Sequence, residues 1–438
     1  MKKSITTTLA TMGLLTSANL SAADDLSSMF SEGKASGQIR LFSIDRTYQG
    51  SAGTTTHRNG TTLGGHLKYE TDDFAGLNLG TAFYTVNLLA SSPTIEPAIV
   101  GPDNGNYNIL GEAYLQYKRG NTTFKAGRQK LDTPLASSDD ARTLGNLFEA
   151  YVLVNKDLPD TTIVAGHITK FAQGTFGRVY DGGLLAVTSG YSLVDTRDQA
   201  GGFVNMGAYA LGHDKATDGV SVASVTYTGM ENLKVQLWDY YAHDILNAVY
   251  GELNYSIPSD IVSTYIGAQF IKENDVDDQY AGDVNGLYGA VKVGAKFANL
   301  NVYGAYSQTS KNSASDTATA NAIISPWGGM PAYTQGMVTR HQFMAGTKAY
   351  KVSGVYNWKE FGPKVTSAVY YTAFDMDANS GYGIERTATE AGFDVIYYPE
   401  MVKNLQLRFR GNFPRKFAES TSGDTGWNEY RFIVNYNF

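Results

Sequence analysis

The chain has 438 residues, 35 Lys+Arg against 42 Asp+Glu, a formal charge of -7, 12% aromatic residues and no Cys. The aromatic content excludes wholesale disorder, and the acidic balance argues against a nucleic-acid partner. Without Cys there is no disulfide framework, thiolate nucleophile or Cys-ligated metal, and without repeated apolar runs of roughly 20 residues there is no multi-helix membrane protein.

The first element is a targeting segment. Met1-Lys2-Lys3 is a short positive start, Ile5 to Leu15 is apolar or small, and Ser21-Ala22-Ala23 places small residues ahead of Asp24-Asp25. That is the layout of a secretory signal peptide over residues 1–23. It leaves 24–438 as one folded domain.

From there the chain reads as strands. Segments of roughly ten residues alternate apolar and polar side chains between Gly, Asn, Asp or Pro. Gly37-Gln-Ile-Arg-Leu-Phe42 opens the series. In 287–297, Leu287, Val291, Val293 and Phe297 alternate with Tyr288, Lys292 and Lys296. In 405–412, Leu405, Leu407 and Phe409 alternate with Gln406, Arg408, Arg410 and Asn412. Each strand therefore has one oily and one wet face.

Connections alternate in length. Tight turns fall at 74–79, 119–121, 156–160, 229–235, 258–260, 297–302, 359–363 and 401–407. Longer polar connections fall near 48–60, 90–108, 131–147, 171–219, 243–248, 272–285, 310–341, 376–387 and 414–426. Eight turns and nine loops make 18 strands with both termini on the short-turn side. Turns and loops then lie on opposite sides of a membrane, as in an up-and-down barrel. The segment 201–211 also alternates; taken as an excursion within the 171–219 loop it preserves 18 strands, and 16 is the alternative count.

The fold class is all-β, a transmembrane antiparallel barrel. A barrel this wide encloses a lumen that side chains cannot fill, so water fills it. Closure pairs every backbone group inside lipid. Lys, Arg, Glu, Gln and Tyr then face inward, and aliphatics flanked by Tyr and Phe face outward. The Ser/Thr/Ala-rich segment 310–341 reads as an exposed loop.

The last strand is the most specific local signal. Tyr430, Phe432, Val434, Tyr436 and Phe438 recur at every second position up to the final residue. This resembles the tag by which bacterial outer-membrane barrels engage their assembly machinery, with Tyr436 and Phe438 as its key positions.

The chain also resembles OprD-like porins, especially the major outer-membrane porin branch of the epsilon-class proteobacteria. The resemblance rests on Gly37–Phe42, on Lys125-Ala-Gly-Arg-Gln-Lys-Leu-Asp-Thr-Pro134, on Phe148-Glu-Ala150, on Lys156-Asp-Leu-Pro159 and on the final strand. It implies 18 strands, a third loop folded into the lumen, homotrimers in the outer membrane, and passive diffusion of ions and small solutes. It does not imply a particular solute.

Pore chemistry follows from opposed charges. The strands 405–413, 426–438 and 37–47 are neighbours, and their wet faces carry Arg408, Arg410, Arg431 and Arg40. Four guanidiniums make a patch of fixed positive potential. Lys292 and Lys296 add a second basic stripe. In the loop 131–147, Asp132, Asp139 and Asp140 precede Arg142. Folded inward, those carboxylates would face the arginine wall across a constriction and set up a transverse field. The alternative is a solvated acidic loop, with the arginines paired to wall acids such as Glu390 and Asp394.

Other chemistries find less support. Asp139-Asp140 and Glu273–Asp278 offer oxygen ligands for calcium, without the spacing of a known calcium loop, so solvated loops near lipopolysaccharide are preferred and no cofactor is expected. None of the six His sits in a nucleophile motif; His66 and His167 fall on strands and are expected to face the lumen. The expected function is a general diffusion porin. A channel preferring carboxylate-bearing solutes is the alternative, resting on the arginine wall.

Overall fold

The computed structural model describes residues 23–49, 55–199, 202–420 and 423–438. Eighteen strands form one closed antiparallel sheet. In chain order they are β1 (Lys34–Gln49), β2 (Thr55–Glu70), β3 (Leu77–Ala90), β4 (Tyr107–Arg119), β5 (Thr122–Gln129), β6 (Leu147–Asn155), β7 (Thr161–Ala172), β8 (Val220–Tyr227) and β9 (Leu233–Ala242). The second half comprises β10 (Leu246–Ile257), β11 (Ser263–Asp275), β12 (Leu287–Phe297), β13 (Leu300–Thr309), β14 (Lys348–Asn357), β15 (Val365–Met376), β16 (Arg386–Tyr397), β17 (Leu405–Arg415) and β18 (Gly423–Asn437). Two short ladders, Val204–Asn205 and Ala418–Ser420, lie in the loops. The signal peptide falls, save for Ala23, outside the described residues.

Closure is made by β1 and β18, with Gln38 opposite Asn437 and Gln49 opposite Gly426. The terminal Phe438 exchanges backbone hydrogen bonds with Gly37, at 2.9 and 3.1 Å. Among the described residues the barrel wall leaves no free strand edge. Five of the tight turns carry a residue other than glycine with a left-handed backbone: Ala75 (φ 53°), Asp160 (φ 54°), Asn232 (φ 62°), Ala298 (φ 45°) and Asn404 (φ 65°). Asn tolerates that region because its short side chain can bond locally. The segment 201–211 is no barrel strand; its second part is a short helix, Met206–Leu211, inside the fourth long loop.

Outward positions are apolar and exposed. Val293, Val352 and Val369 are each about 60% exposed, and Tyr430, Phe432, Tyr436 and Phe438 line one outward row of β18. On a protein in water such a surface would be an aggregation liability. Around a barrel it is the surface that meets acyl chains.

The inner face departs from the expected wet wall. Phe148, Phe171, Trp238, Tyr240, Ile271 and Tyr288 point inward and are buried. They pack with Leu131 and Leu135 of the third loop, Val187 and Met206 of the fourth, and Ile323, Trp327 and Phe343 of the seventh. The third, fourth and seventh loops thus fold into the lumen instead of the third alone, and Ile99 and Val100 of the second pack on the inward Phe42 and Ile433. The segment 310–341 is correspondingly not an exposed loop: only Lys311 and 313–317 are exposed, while 322–330 is buried throughout except where it turns at Gly329. Alternation cannot reveal this, because an inward side chain has the same period whether it meets water or a folded loop.

Candidate permeation pathway

The third loop, 130–146, is fastened to the wall at β1 and β18. Arg40 of β1 donates to the Arg142 carbonyl at 2.7 Å and to Asn435 at 2.8 Å, and pairs directly with Asp140. Arg142 of the loop reaches Glu429 of β18 at 3.3 Å and lies over the Phe176 ring at 4.8 Å. Glu429 also takes Arg46 Nε at 2.6 Å and pairs with Arg431, while Arg46 reaches Glu96 of the second loop at 3.2 Å. All five are nearly solvent-free, with Arg431 and Arg142 each 1% exposed. Three guanidiniums and two carboxylates thus bolt the second and third loops to the barrel. Buried ion sets of this kind offset a large desolvation cost and fix geometry more than they add stability.

That placement corrects the expected eyelet. Arg431 of the expected wall is buried, and so is Arg142 of the loop that was expected to face it. Arg408 donates Nε to Asp394 at 2.8 and 3.1 Å, and Arg410 approaches the same carboxylate at 3.3 Å, so wall acid answers wall arginine. Glu390, the other wall acid considered, serves the seventh loop. It accepts the Met337 N–H at 2.6 Å and the Thr339 N–H at 2.8 Å.

The loop carboxylates diverge. Asp140 meets Arg40 and, at 3.6 Å, Lys130; burial works to raise its pKa, but Arg40 and then Lys130 outweigh it and hold the carboxyl below its ordinary value. Asp139 turns to the seventh loop, accepting the Gly329 N–H at 3.1 Å with Arg340 at 4.0 Å. Burial pushes its carboxyl up, with Arg340 opposing. Asp132 closes its own loop by accepting from Ser137 and Ser138 at 3.2 Å. Glu273 is buried and accepts the Ile324 N–H at 2.9 Å, so it belongs to no solvated loop. Among the described residues no metal-ligating trio converges.

What the arrangement leaves open is a chamber of about 300 Å³ beside the third loop. Arg40, His66, Lys68, Glu112, Lys125, Lys130, Asp132 and Asp140 line it, with Tyr84. Lys68 sits 3.3 Å from both Glu70 and Glu112. Lys125 enters no ion pair among the described residues; its Nζ rests 3.6 Å from the Tyr114 ring centroid, a cation–π contact. Lys292 also lies over a ring, Tyr333 at 3.9 Å, while donating to Asn254 Oδ1 at 3.4 Å, and Lys351 lies over Tyr370 at 4.9 Å while donating to the Gln335 carbonyl at 2.7 Å. Lys296 shares the inward face of Lys292 and is exposed near the turns. Lys68, Lys125 and Lys130 were not singled out from sequence, although Lys125 and Lys130 lie within the quoted segment 125–134.

His66 lines the chamber, stacked on Tyr84 at 5.0 Å. His167 does not face the lumen. It shares the outward side of β7 with Ile163 and bonds Ser221, which in turn meets His243 at 3.0 Å.

Comparison with known proteins agrees with this geometry. The family described as outer membrane porin, OprD family, matches residues 100–438. Among solved structures, Pseudomonas aeruginosa OpdK with vanillate superposes with a TM-score of 0.73 at 16% identity, covering 92% of this chain and 98% of that one. P. aeruginosa OccK9 (OpdG) gives 0.75 at 17%, covering 94% and 99%. OccK2 (OpdF) from the same organism, in complex with glucuronate, gives 0.71 at 16%, covering 94% and 99%. No curated protein sequence matches the chain. With the family match spanning most of its length, the chain belongs to the OprD family of outer-membrane porins.

Proposed function

We propose that this porin is a substrate-preferring channel for small carboxylate-bearing solutes, with the lysine-lined chamber beside the third loop as its selective region. The observation that carries this reading is the pairing pattern. The arginines of β17 and β18 are answered by Asp394 and Glu429, whereas Lys125 in the chamber rests on a tyrosine ring with no carboxylate partner among the described residues, as do Lys292 and Lys351 elsewhere on the wall. A carboxylate shedding part of its hydration finds ammonium donors there; a neutral amide of the same shape does not. Vanillate and glucuronate, named with two of the similar structures, both carry a carboxylate. The three infolded loops argue against the general diffusion pore expected from sequence, since a wide water-filled lumen would pass solutes with little regard to charge.

Liposome swelling with a carboxylate and its amide tests this. The carboxylate should enter faster, and Lys125→Gln should shrink the ratio several-fold. Equal rates for both solutes would return the protein to the general class. Export through cleavage after Ala23, engagement of the assembly machinery by Tyr436 and Phe438, contact with lipopolysaccharide and assembly as homotrimers belong to the same proposal. Cross-linking in native outer membranes, read for a threefold mass, checks the last of these.

A further inference from the structure

The loop side of the barrel holds a second cation-lined cavity, separate from the chamber. It measures about 460 Å³ and lies between the second and fourth loops, with Arg58, Arg178, Arg197, Asn104, Asp103 and Asp195 in its lining. Three guanidiniums stand against two carboxylates. Their commitments differ. Arg178 is buried and donates to the Val100 carbonyl at 3.1 Å and the Arg197 carbonyl at 3.1 Å, which joins the two loops. Arg197 meets Asp195 at the rim, with Nε at 2.9 and 3.1 Å. Arg58 of β2 lies over the Tyr48 ring at 5.1 Å and enters no ion pair among the described residues. A guanidinium held by stacking keeps the edge of its fork for a bidentate oxyanion.

The surroundings sharpen the point. Connections 243–245, 276–286 and 377–385 carry Asp244, Asp277, Asp278, Asp283, Asp377 and Glu385 and no Lys or Arg. Asp377 is paired with Lys311 at 2.8 Å, but the other five acids give that part of the mouth a negative potential, against which a local positive basin favours anion entry. We propose that this cavity is an entry site for small soluble oxyanions, carboxylate or phosphate. Arg58 is the ligating fork, Asn104 supplies a neutral donor, and Arg178 and Arg197 supply field. The site stands on its own lining and does not depend on which residues select solute deeper in the lumen.

Inorganic phosphate is a suitable probe, read by the 31P line broadening that full-length protein produces in a phosphate-free detergent. Arg58→Gln should weaken apparent affinity about tenfold, the value of one lost charge-assisted fork. Arg197→Gln, on the exposed rim, should weaken it less and guards against misfolding of the first variant. Lys364→Gln, at the exposed tight turns on the opposite side of the barrel, should leave it unchanged. Wild-type broadening in both arginine variants would overturn the proposal, as would broadening lost in Lys125→Gln but kept in Arg58→Gln, which would place the ion in the chamber. A second arm compares liposomes with and without lipopolysaccharide. Phosphate competition only where lipopolysaccharide is present, with less lipopolysaccharide retained by Arg58→Gln, would assign the site to lipid phosphates instead of solute.

Discussion

On β1, β17 and β18 the cations are arginines, each held against Asp394, Glu429 or Asp140, and the innermost are dry. Beside them, on the neighbouring β2, on β5 and at the start of the third loop, Lys68, Lys125 and Lys130 stand part-exposed around a chamber that Arg40 also lines, with Lys125 resting on an aromatic ring. Both regions are basic in sequence. On the reading proposed above, the second is the one that presents charge to solute. Arg carries a fork that fits a carboxylate in two places and is lightly hydrated, which suits a buried clasp; Lys is a compact, strongly hydrated point charge on a flexible stem. Charge counted along a strand therefore does not measure charge available in a pore.

The comparison breaks most readily at Glu429. Glu429→Gln leaves Arg46, Arg142 and Arg431 buried beside a neutral amide, so about 3–5 kcal/mol of stability should be lost. Urea unfolding of purified barrel reads this, and single-channel noise should rise as the third loop loosens. Unchanged unfolding would mean the cluster fastens nothing. Next, Trp327→Ala should open a void where the seventh loop packs on the fourth through Met206, costing about 3–5 kcal/mol. Conductance should rise in the same variant.

A smaller effect concerns pH. His341 of the seventh loop is buried among Phe374, Tyr382 and Phe417, with its Nε2 2.6 Å from the Phe417 carbonyl. Burial lowers its pKa to about 4, with the bond to Phe417 opposing. The folded imidazole then holds fewer protons than the unfolded one between about pH 6.5 and 4, so stability falls as pH drops through that window. The full swing is about 3 kcal/mol. Thermal unfolding of wild type should lose ground between pH 7 and 4.5, and His341→Phe should show a flatter profile. Parallel profiles would exclude His341 as the titrating group. Smallest of all, Arg408→Gln should change ion selectivity less than Lys125→Gln, because Arg410 still answers Asp394.

Much of the barrel was legible beforehand. Strand number, termini side, turn positions and the outward rows of β12, β17 and β18 all follow from period two and from left-handed turn residues such as Asn232 and Asn404. The interior was not. Phe148-Glu-Ala-Tyr-Val-Leu-Val154 is apolar on both faces, and so is the stretch around Trp238 and Tyr240. Double-faced strands in a barrel wall signal that something covers the inner face, and that signal was available. Which loop covers it depends on contacts far apart in sequence, such as Ser325 with Leu135. Asp140 does meet an arginine of the wall, Arg40, but in direct contact and not across an opening, and Asp139, its neighbour, turns to another loop on a left-handed backbone (φ 41°).

Reversal potential across a planar bilayer in a salt gradient tests the central claim most directly. Replacing Lys68, Lys125 and Lys130 together with Gln should shift the channel markedly toward cations, while replacing Arg408 and Arg410 with Gln should move it far less. A large shift in the arginine double variant, with none in the lysine triple variant, would contradict the account.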